Sequence, residues 1–187
     1  MDRDAKLAPY LASDWDTIDA MLKLAEFRKG EHILDIGAGD GRVLIRALEL
    51  GAGRAVGVES NKVVYDIGVE HVQSALGEQV RKGEGGESST DTGKCELLCC
   101  DFQQLPRAVL KSTDLIVCFL VPHGLEFVHD WLARCVQEDA SRAAPLRPRP
   151  MRIATMGWPL PASSSFPLIV ASVLPTSGTA LYLYRVR

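Results

Sequence analysis

The sequence has no excess of positive charge: 21 Lys and Arg stand against 24 Asp and Glu, a formal net charge of −3. Proteins dedicated to nucleic acid usually concentrate basic residues to neutralise phosphates, so neither DNA nor RNA is an expected partner. Paired cysteines are lacking too. Cys95, Cys99, Cys100, Cys118 and Cys135 are odd in number and contain no CxxC pair. That fits neither a disulfide framework nor a standard zinc site. Their apolar settings imply buried, reduced thiols in an intracellular protein. His32, His71 and His129 fall on separate predicted elements without ligand spacing, so no metal is assigned. No apolar run approaches the ~20 residues of a membrane span. The start, Met1-Asp2-Arg3-Asp4, is charged and has no apolar core region, so no secretory signal is expected and a cytoplasmic location is.

What remains is a chain of 187 residues with 47% hydrophobic composition. That suits one domain over residues 1–187, burying roughly 70% of the surface an unfolded chain exposes. Residues 1–30 form an N-terminal helical segment. Residues 82–94, KGEGGESSTDTGK, contain nothing apolar to bury and read as a flexible loop. Residues 140–150, ASRAAPLRPRP, read as a Pro/Arg-rich connector that cannot be helical. Arg142, Arg147, Arg149 and Arg152 make a local basic cluster, read as a solvated surface.

Between these connectors the hydrophobic period alternates. Helical spacing is expected over 14–27 (capped by Asp14 or Ser13), 41–50, 61–80 and 124–136. In the third of these, Val64, Ile67, Gly68, His71 and Val72 share one side. Gly51 is placed to end the second. Short apolar strands are expected at 32–36, 54–58, 96–100, 114–119 and 152–156. Two more, at 167–174 and 179–186, flank the turn Pro175-Thr176-Ser177-Gly178 and read as a hairpin. Strands alternating with helices imply an α/β fold. The expected architecture is a mostly parallel seven-stranded sheet with helices on both faces and a C-terminal antiparallel hairpin.

The densest signal is Ile33-Leu34-Asp35-Ile36-Gly37-Ala38-Gly39-Asp40-Gly41-Arg42. A strand delivers an acid, three alternate glycines follow, and a helix begins. Glycines permit positive φ and close ligand approach, and a helix start offers free N–H groups. A dinucleotide turn places its third glycine three residues after the second. Here that position is Arg42, so the spacing is GxGxG instead. Glu59, ending the second strand, is an acid suited to accepting from ribose hydroxyls. Asp114 starts its strand, far from the carboxyl-end crevice, and reads as structural.

The GxGxG spacing with Asp35 before it resembles motif I of the class I S-adenosylmethionine-dependent methyltransferases. The resemblance implies a single Rossmann-like methyltransferase domain with S-adenosyl-L-methionine as cofactor and S-adenosyl-L-homocysteine as product. It implies cofactor binding by Asp35, Gly37, Gly39, Gly41, Glu59, Ser60, Asp101, Phe102 and Phe119. Asp101 would bond the adenine amino group and Phe102 would cover the ring. The Asn/Asp-Pro-Pro-aromatic signature of enzymes that methylate base amines or glutamine amides is absent from Phe119-Leu120-Val121-Pro122.

Within the class the chain is most similar to the family of the ATP synthase c-subunit lysine methyltransferase. Pro9-Tyr10, Gly39-Asp40-Gly41-Arg42, Ala55-Val56-Gly57-Val58-Glu59, Phe119-Leu120-Val121-Pro122 and Pro159-Leu160-Pro161 carry that similarity. The second proline expected after Tyr10 is missing, and 82–94 looks like an insertion. The similarity implies a lysine amine of a protein as methyl acceptor, and admits a mitochondrial location. Tyr10 and His123 are the polar groups placed near the methyl, and Trp158 and Pro159 would wall the substrate channel. A methyltransferase for a small molecule or another protein side chain, and an inactive module that keeps the fold, remain as alternatives.

Overall fold

The computed structural model describes residues 13–77, 80–84, 94–140, 150–163 and 165–186. The elements follow in the order α1 (Trp15–Leu24), β1 (His32–Ile36), α2 (Arg42–Glu49), β2 (Arg54–Glu59), α3 (Lys62–Leu76), β3 (Val80–Glu84), β4 (Cys95–Cys99), α4 (Arg107–Ser112), β5 (Leu115–Cys118), α5 (Pro122–Ala140), β6 (Arg152–Met156), β7 (Leu168–Val173) and β8 (Ala180–Arg185). They build one sheet in the order β3-β4-β2-β1-β5-β6-β8-β7. Every neighbouring pair is parallel except β6–β8 and β7–β8. The seven strands read from the sequence are all there, with the hairpin at the C-terminus.

Side chains alternate across the sheet, as period-two strands require. Ile33, Leu115 and Val117 face a layer made by α1, α2 and α3, with Ile18, Met21, Leu44 and Val69 at its centre. Leu34, Ile36, Ile116 and Cys118 face the opposite layer, where α4 and α5 contribute Val109, Leu110, Leu125, Val128 and Leu132. Both faces of the central strands are covered, which explains why they read as continuous apolar runs rather than alternating ones. Asp14 caps α1 by accepting from the Thr17 N–H at 2.8 Å, and Asn61 caps α3 through the N–H groups of Val63 and Val64. Gly51 follows α2 at φ +90, the left-handed exit expected of it.

Four sequence expectations need correction. The helix expected over 61–80 stops at Leu76, because Gly77 takes φ +72 and breaks the ladder. Residues 80–84 then form an eighth strand, β3, parallel to β4. So Lys82, Gly83 and Glu84 belong to the sheet and not to a flexible loop; residues 85–93 lie outside the described residues. Ile67 is turned outward and half exposed, while Tyr65 and Val69 take the buried face. Arg152 is no part of a solvated basic cluster. It pairs with Glu31 at 2.6 Å, with both side chains largely buried, and donates to the Glu26 carbonyl, tying the α1–β1 loop to β6. Residues 141–149 of the connector are outside the described residues.

Asp114 sits where the sequence placed it. Its carboxylate accepts from the His32 N–H at 2.9 Å, and its own backbone bonds His32 and Arg152. It holds together the starts of β1, β5 and β6. The strand order reverses at β1, between β2 on one side and β5 on the other, and the carboxyl ends of these strands frame a crevice of the kind that binds ligands in open α/β sheets.

Candidate active site

The glycine turn leaves β1 at this crevice. The N–H groups of Gly37 and Ala38 both donate to the Val58 carbonyl, at 2.9 and 3.0 Å, so the turn hooks over the end of β2. Gly37, Gly39 and Gly41 all have positive φ, a region that side chains with a Cβ avoid. Gly41 has a second constraint: a Cβ there would run into Val72 of α3. α3 approaches through a glycine of its own, since a Cβ on Gly68 would stand 2.5 Å from the Gly39 carbonyl oxygen. Turn and helix are therefore packed backbone to backbone.

Glu59, at the end of β2, spans the rim of the turn. One carboxylate oxygen accepts from the Gly39 N–H at 3.2 Å and the other from the Asn61 N–H at 2.8 Å. Ser60 follows it, exposed. Asp35, the acid before the glycines, is buried, and its carboxyl is pushed up to about 8. Loss of hydration is the main cause, followed by the charges of Glu59 and Asp40. Three acidic side chains thus influence one another around the turn.

Asp101 follows β4, exposed at the crevice end. One of its oxygens accepts from the Gln103 N–H at 2.8 Å, capping a short 3-10 turn over Phe102–Gln104. The Phe102 ring is buried edge-on against Trp131 of α5, centroids 5.3 Å apart, and belongs to the core. Phe119 and Leu120 follow β5. Phe119 is half-buried beside Gly157, where an added Cβ would lie 3.2 Å from the ring, and the Leu120 side chain lies over Gly37. Trp158 and Pro159 follow β6 and are exposed, Trp158 by 42%. His123 stands in the first turn of α5, exposed, with Nδ1 3.3 Å from Glu126 and its ring edge-on to Phe127. The turn, Glu59, Ser60, Asp101, Phe119, His123, Trp158 and Pro159 all emerge at the carboxyl ends of parallel strands. Tyr10 lies outside the described residues.

A network around Arg42 went unread in the sequence. Arg42 pairs with Asp40 at 2.8 Å and donates to the Ser13 carbonyl at 2.9 Å. It also lies 5.9 Å from the centre of the Trp15 ring. His71 Nδ1 is 2.9 Å from the Asp40 carbonyl oxygen. These contacts bind the glycine turn to the start of α1 and to α3. The signal was the Asp40–Gly41–Arg42 step itself, whose arginine entered the sequence analysis through its spacing and its motif and not through its partners. Burial pushes the Cys95 thiol up to about 12 and raises that of Cys118 further. Among the described residues no three His, Cys, Asp or Glu side chains are grouped to hold a metal, and no helix is long and apolar enough to cross a membrane.

No model of a known protein family matches the chain, and no curated protein matches it in sequence. Solved structures do match its fold. An RNA methyltransferase from Salinibacter ruber, in complex with S-adenosyl-L-homocysteine, superposes with a TM-score of 0.69 at 16% identity, over 94% of each chain. Magnesium protoporphyrin IX methyltransferase from Synechocystis PCC 6803, with bound S-adenosylmethionine, gives 0.60 at 13% identity, over 97% of this chain and 88% of that one. The chain has the fold of the class I S-adenosylmethionine-dependent methyltransferases.

Proposed function

We propose that this protein is an S-adenosylmethionine-dependent methyltransferase. The observation that carries the reading is the backbone-packed glycine turn with Glu59 at its rim, set at the point where the strand order reverses. The residues present fit such a cofactor. A turn without Cβ atoms allows close approach, and Glu59 offers charged acceptors for ribose hydroxyls. Asp101, with an oxygen beyond the one that caps the 3-10 turn, accepts from the adenine amino group. Asp35, Gly37, Gly39, Gly41, Ser60 and Phe119 complete the site. Phe102, buried beside Trp131, would back the adenine from the core side.

S-adenosylmethionine supplies, when bound, an electrophilic methyl group on a sulfonium. The chain's task is alignment in a water-poor crevice. For the acceptor we infer a lysine amine of a protein, which rests on the similarity to the lysine methyltransferase family. Such an amine must arrive neutral. Passage between Trp158, Pro159 and Phe119 would desolvate it, which lowers its pKa without a strong base. His123, exposed at the crevice mouth, can take the released proton to solvent. Tyr10, a few residues before the Ser13 that Arg42 holds, is assigned to orient the amine. The net charge of −3 weighs against an RNA acceptor, whatever the structural neighbour modifies.

Calorimetric titration tests the cofactor. Micromolar-range binding of S-adenosylhomocysteine without binding of NAD is expected, and the reverse would overturn the reading. Incubation of the protein with tritiated S-adenosylmethionine and cell lysate tests the acceptor. A labelled protein band, with label on lysine after hydrolysis, supports the inference; label confined to small molecules or RNA removes it.

A further inference from the structure

The two rims of the sheet are unlike. β3 reads Val80-Arg81-Lys82-Gly83-Glu84, and charge of this density keeps an edge from pairing with another chain. β7, on the opposite rim, reads Leu168-Ile169-Val170-Ala171-Ser172-Val173. It carries no charge, and neither does any residue from Ile153 to Tyr184. All its positions but Val170 are exposed. Leu168, Ile169 and Val173 are among the most exposed large apolar residues described, at 52%, 46% and 62%. No Lys, Pro or inward charge interrupts the strand.

Among the described residues no strand pairs with the outer side of β7, and its register is defined. Leu174 donates to the Thr179 carbonyl at 2.9 Å. From there β7 pairs with β8 as Val173 with Ala180, Ser172 with Leu181, Ala171 with Tyr182 and Val170 with Leu183. Antiparallel ladders spend alternate residues on the partner. Val170, Ser172 and Leu174 therefore turn their N–H and C=O groups to β8, and Ala171 and Val173 turn theirs outward. An irregularity between Leu168 and Val170 limits the regular part of the edge to the strand's second half.

We propose that β7 is a self-association edge: a second copy of this chain pairs with it antiparallel, about a two-fold axis through Ser172. In that register Ala171 of each copy faces Val173 of the other, and each pair exchanges both outward hydrogen bonds. Ser172 meets its own symmetry mate, and Val170 meets Leu174. A two-fold contact brings every residue near its own copy or that of a neighbour, so it requires a patch without like charges. β7 meets that condition and β3 does not. A charged peptide or an anionic surface finds nothing on this rim to complement. Antiparallel pairing leaves the two crevices open at opposite ends of a continuous sheet, so neither site blocks the other.

Sedimentation velocity of the full chain, from low to high micromolar concentration, tests this. The expected result is a reversible rise from the 20.4 kDa of one chain toward twice that mass. Val173→Lys sets a charge on the open edge, and Ala171→Pro removes an outward N–H while leaving the bonds to β8 intact. Both should abolish the dimer with the circular dichroism spectrum and melting transition retained; if the proline variant does not fold, the lysine variant decides. Lys82→Ala, on the other rim, should leave the dimer unchanged. A wild-type chain that stays monomeric throughout, or a dimer that survives both β7 variants, overturns the proposal. So does a monomer that sediments with uncharged phosphatidylcholine vesicles, since the rim would then face lipid.

Discussion

The two sides of the β1–β5 switch point solve different problems. On the side of β2, β4 and α3, polar groups are buried on purpose. Asp35 is buried beneath the turn with its carboxyl pushed up to about 8, Glu59 spends both oxygens on backbone N–H groups, and Gly68 brings α3 onto the Gly39 carbonyl. On the side of β6, β8 and β7 the residues from Ile153 to Tyr184 carry no charge, and turn chemistry and apolar alternation do the work. The first side carries an electrostatic cost at the glycine turn, in the buried carboxyl of Asp35. The second is cheap to form and leaves its cost at the surface, as an unguarded edge.

The sharpest test of that contrast is the pH dependence contributed by Asp35. Its folded pKa, about 8, lies above its unfolded value, so the native state binds the extra proton. Its contribution to stability is then full below about pH 4 and is lost as pH rises toward 8, on the order of 6 kcal/mol at the upper limit. Asp35→Asn should flatten the decline in melting temperature over this range, with little change at pH 4. An unaltered profile would mean that Asp35 is ionised in the folded protein. Next in size is Glu59→Ala, expected to weaken S-adenosylhomocysteine by about 3 kcal/mol, because it deletes a charged acceptor and orphans the Gly39 and Asn61 N–H groups. Unchanged affinity in calorimetry, with the fold retained, would reduce Glu59 to a clip for the turn.

The same contrast governs how much was legible in the sequence. The parallel strands, the hairpin, the glycine turn and the acids at the ends of β1, β2 and β4 follow from local pattern, since each is written in adjacent residues. Gly77 and β3 were misread because charge and glycine look like loop, while the strand is defined by backbone pairing with β4, which no local pattern announces. The packing of Phe102 against Trp131 was not legible because nothing local reveals a partner so far along the chain. The Arg152–Glu31 pair and the contacts of Arg42 with Ser13 and Trp15 are equally nonlocal. A solvated arginine and a buried one are the same letter until the partner is placed.

Gly68→Ala probes the polar side by contact. Alanine in a helix interior normally gains about 1 kcal/mol over glycine, but here the new methyl meets a backbone oxygen that cannot step aside. The expected outcome is a net loss of about 2 kcal/mol in denaturant unfolding, with weaker cofactor binding as the turn shifts. A gain in stability would show that α3 can slide without disturbing the turn.

Gly178 supplies the counterpart on the apolar side, and the smallest effect. It sits in the β7–β8 turn at φ +69, and an added Cβ there would meet nothing within 4 Å. Only the backbone conformation resists a side chain, so Gly178→Ala should cost about 1 kcal/mol. Gly178→Asn should cost less, since asparagine tolerates the left-handed region. Neither change should move cofactor affinity, because the hydrogen bonds described for the turn stay within the hairpin. Chemical denaturation of the two variants beside Gly68→Ala separates the causes. Asparagine should relieve the penalty at 178 and deepen it at 68, where the obstacle is an atom and not a dihedral angle. Equal penalties for alanine and asparagine at 178 would mean that this turn, too, is packed against something, and that the two sides of the sheet are more alike than their charges suggest.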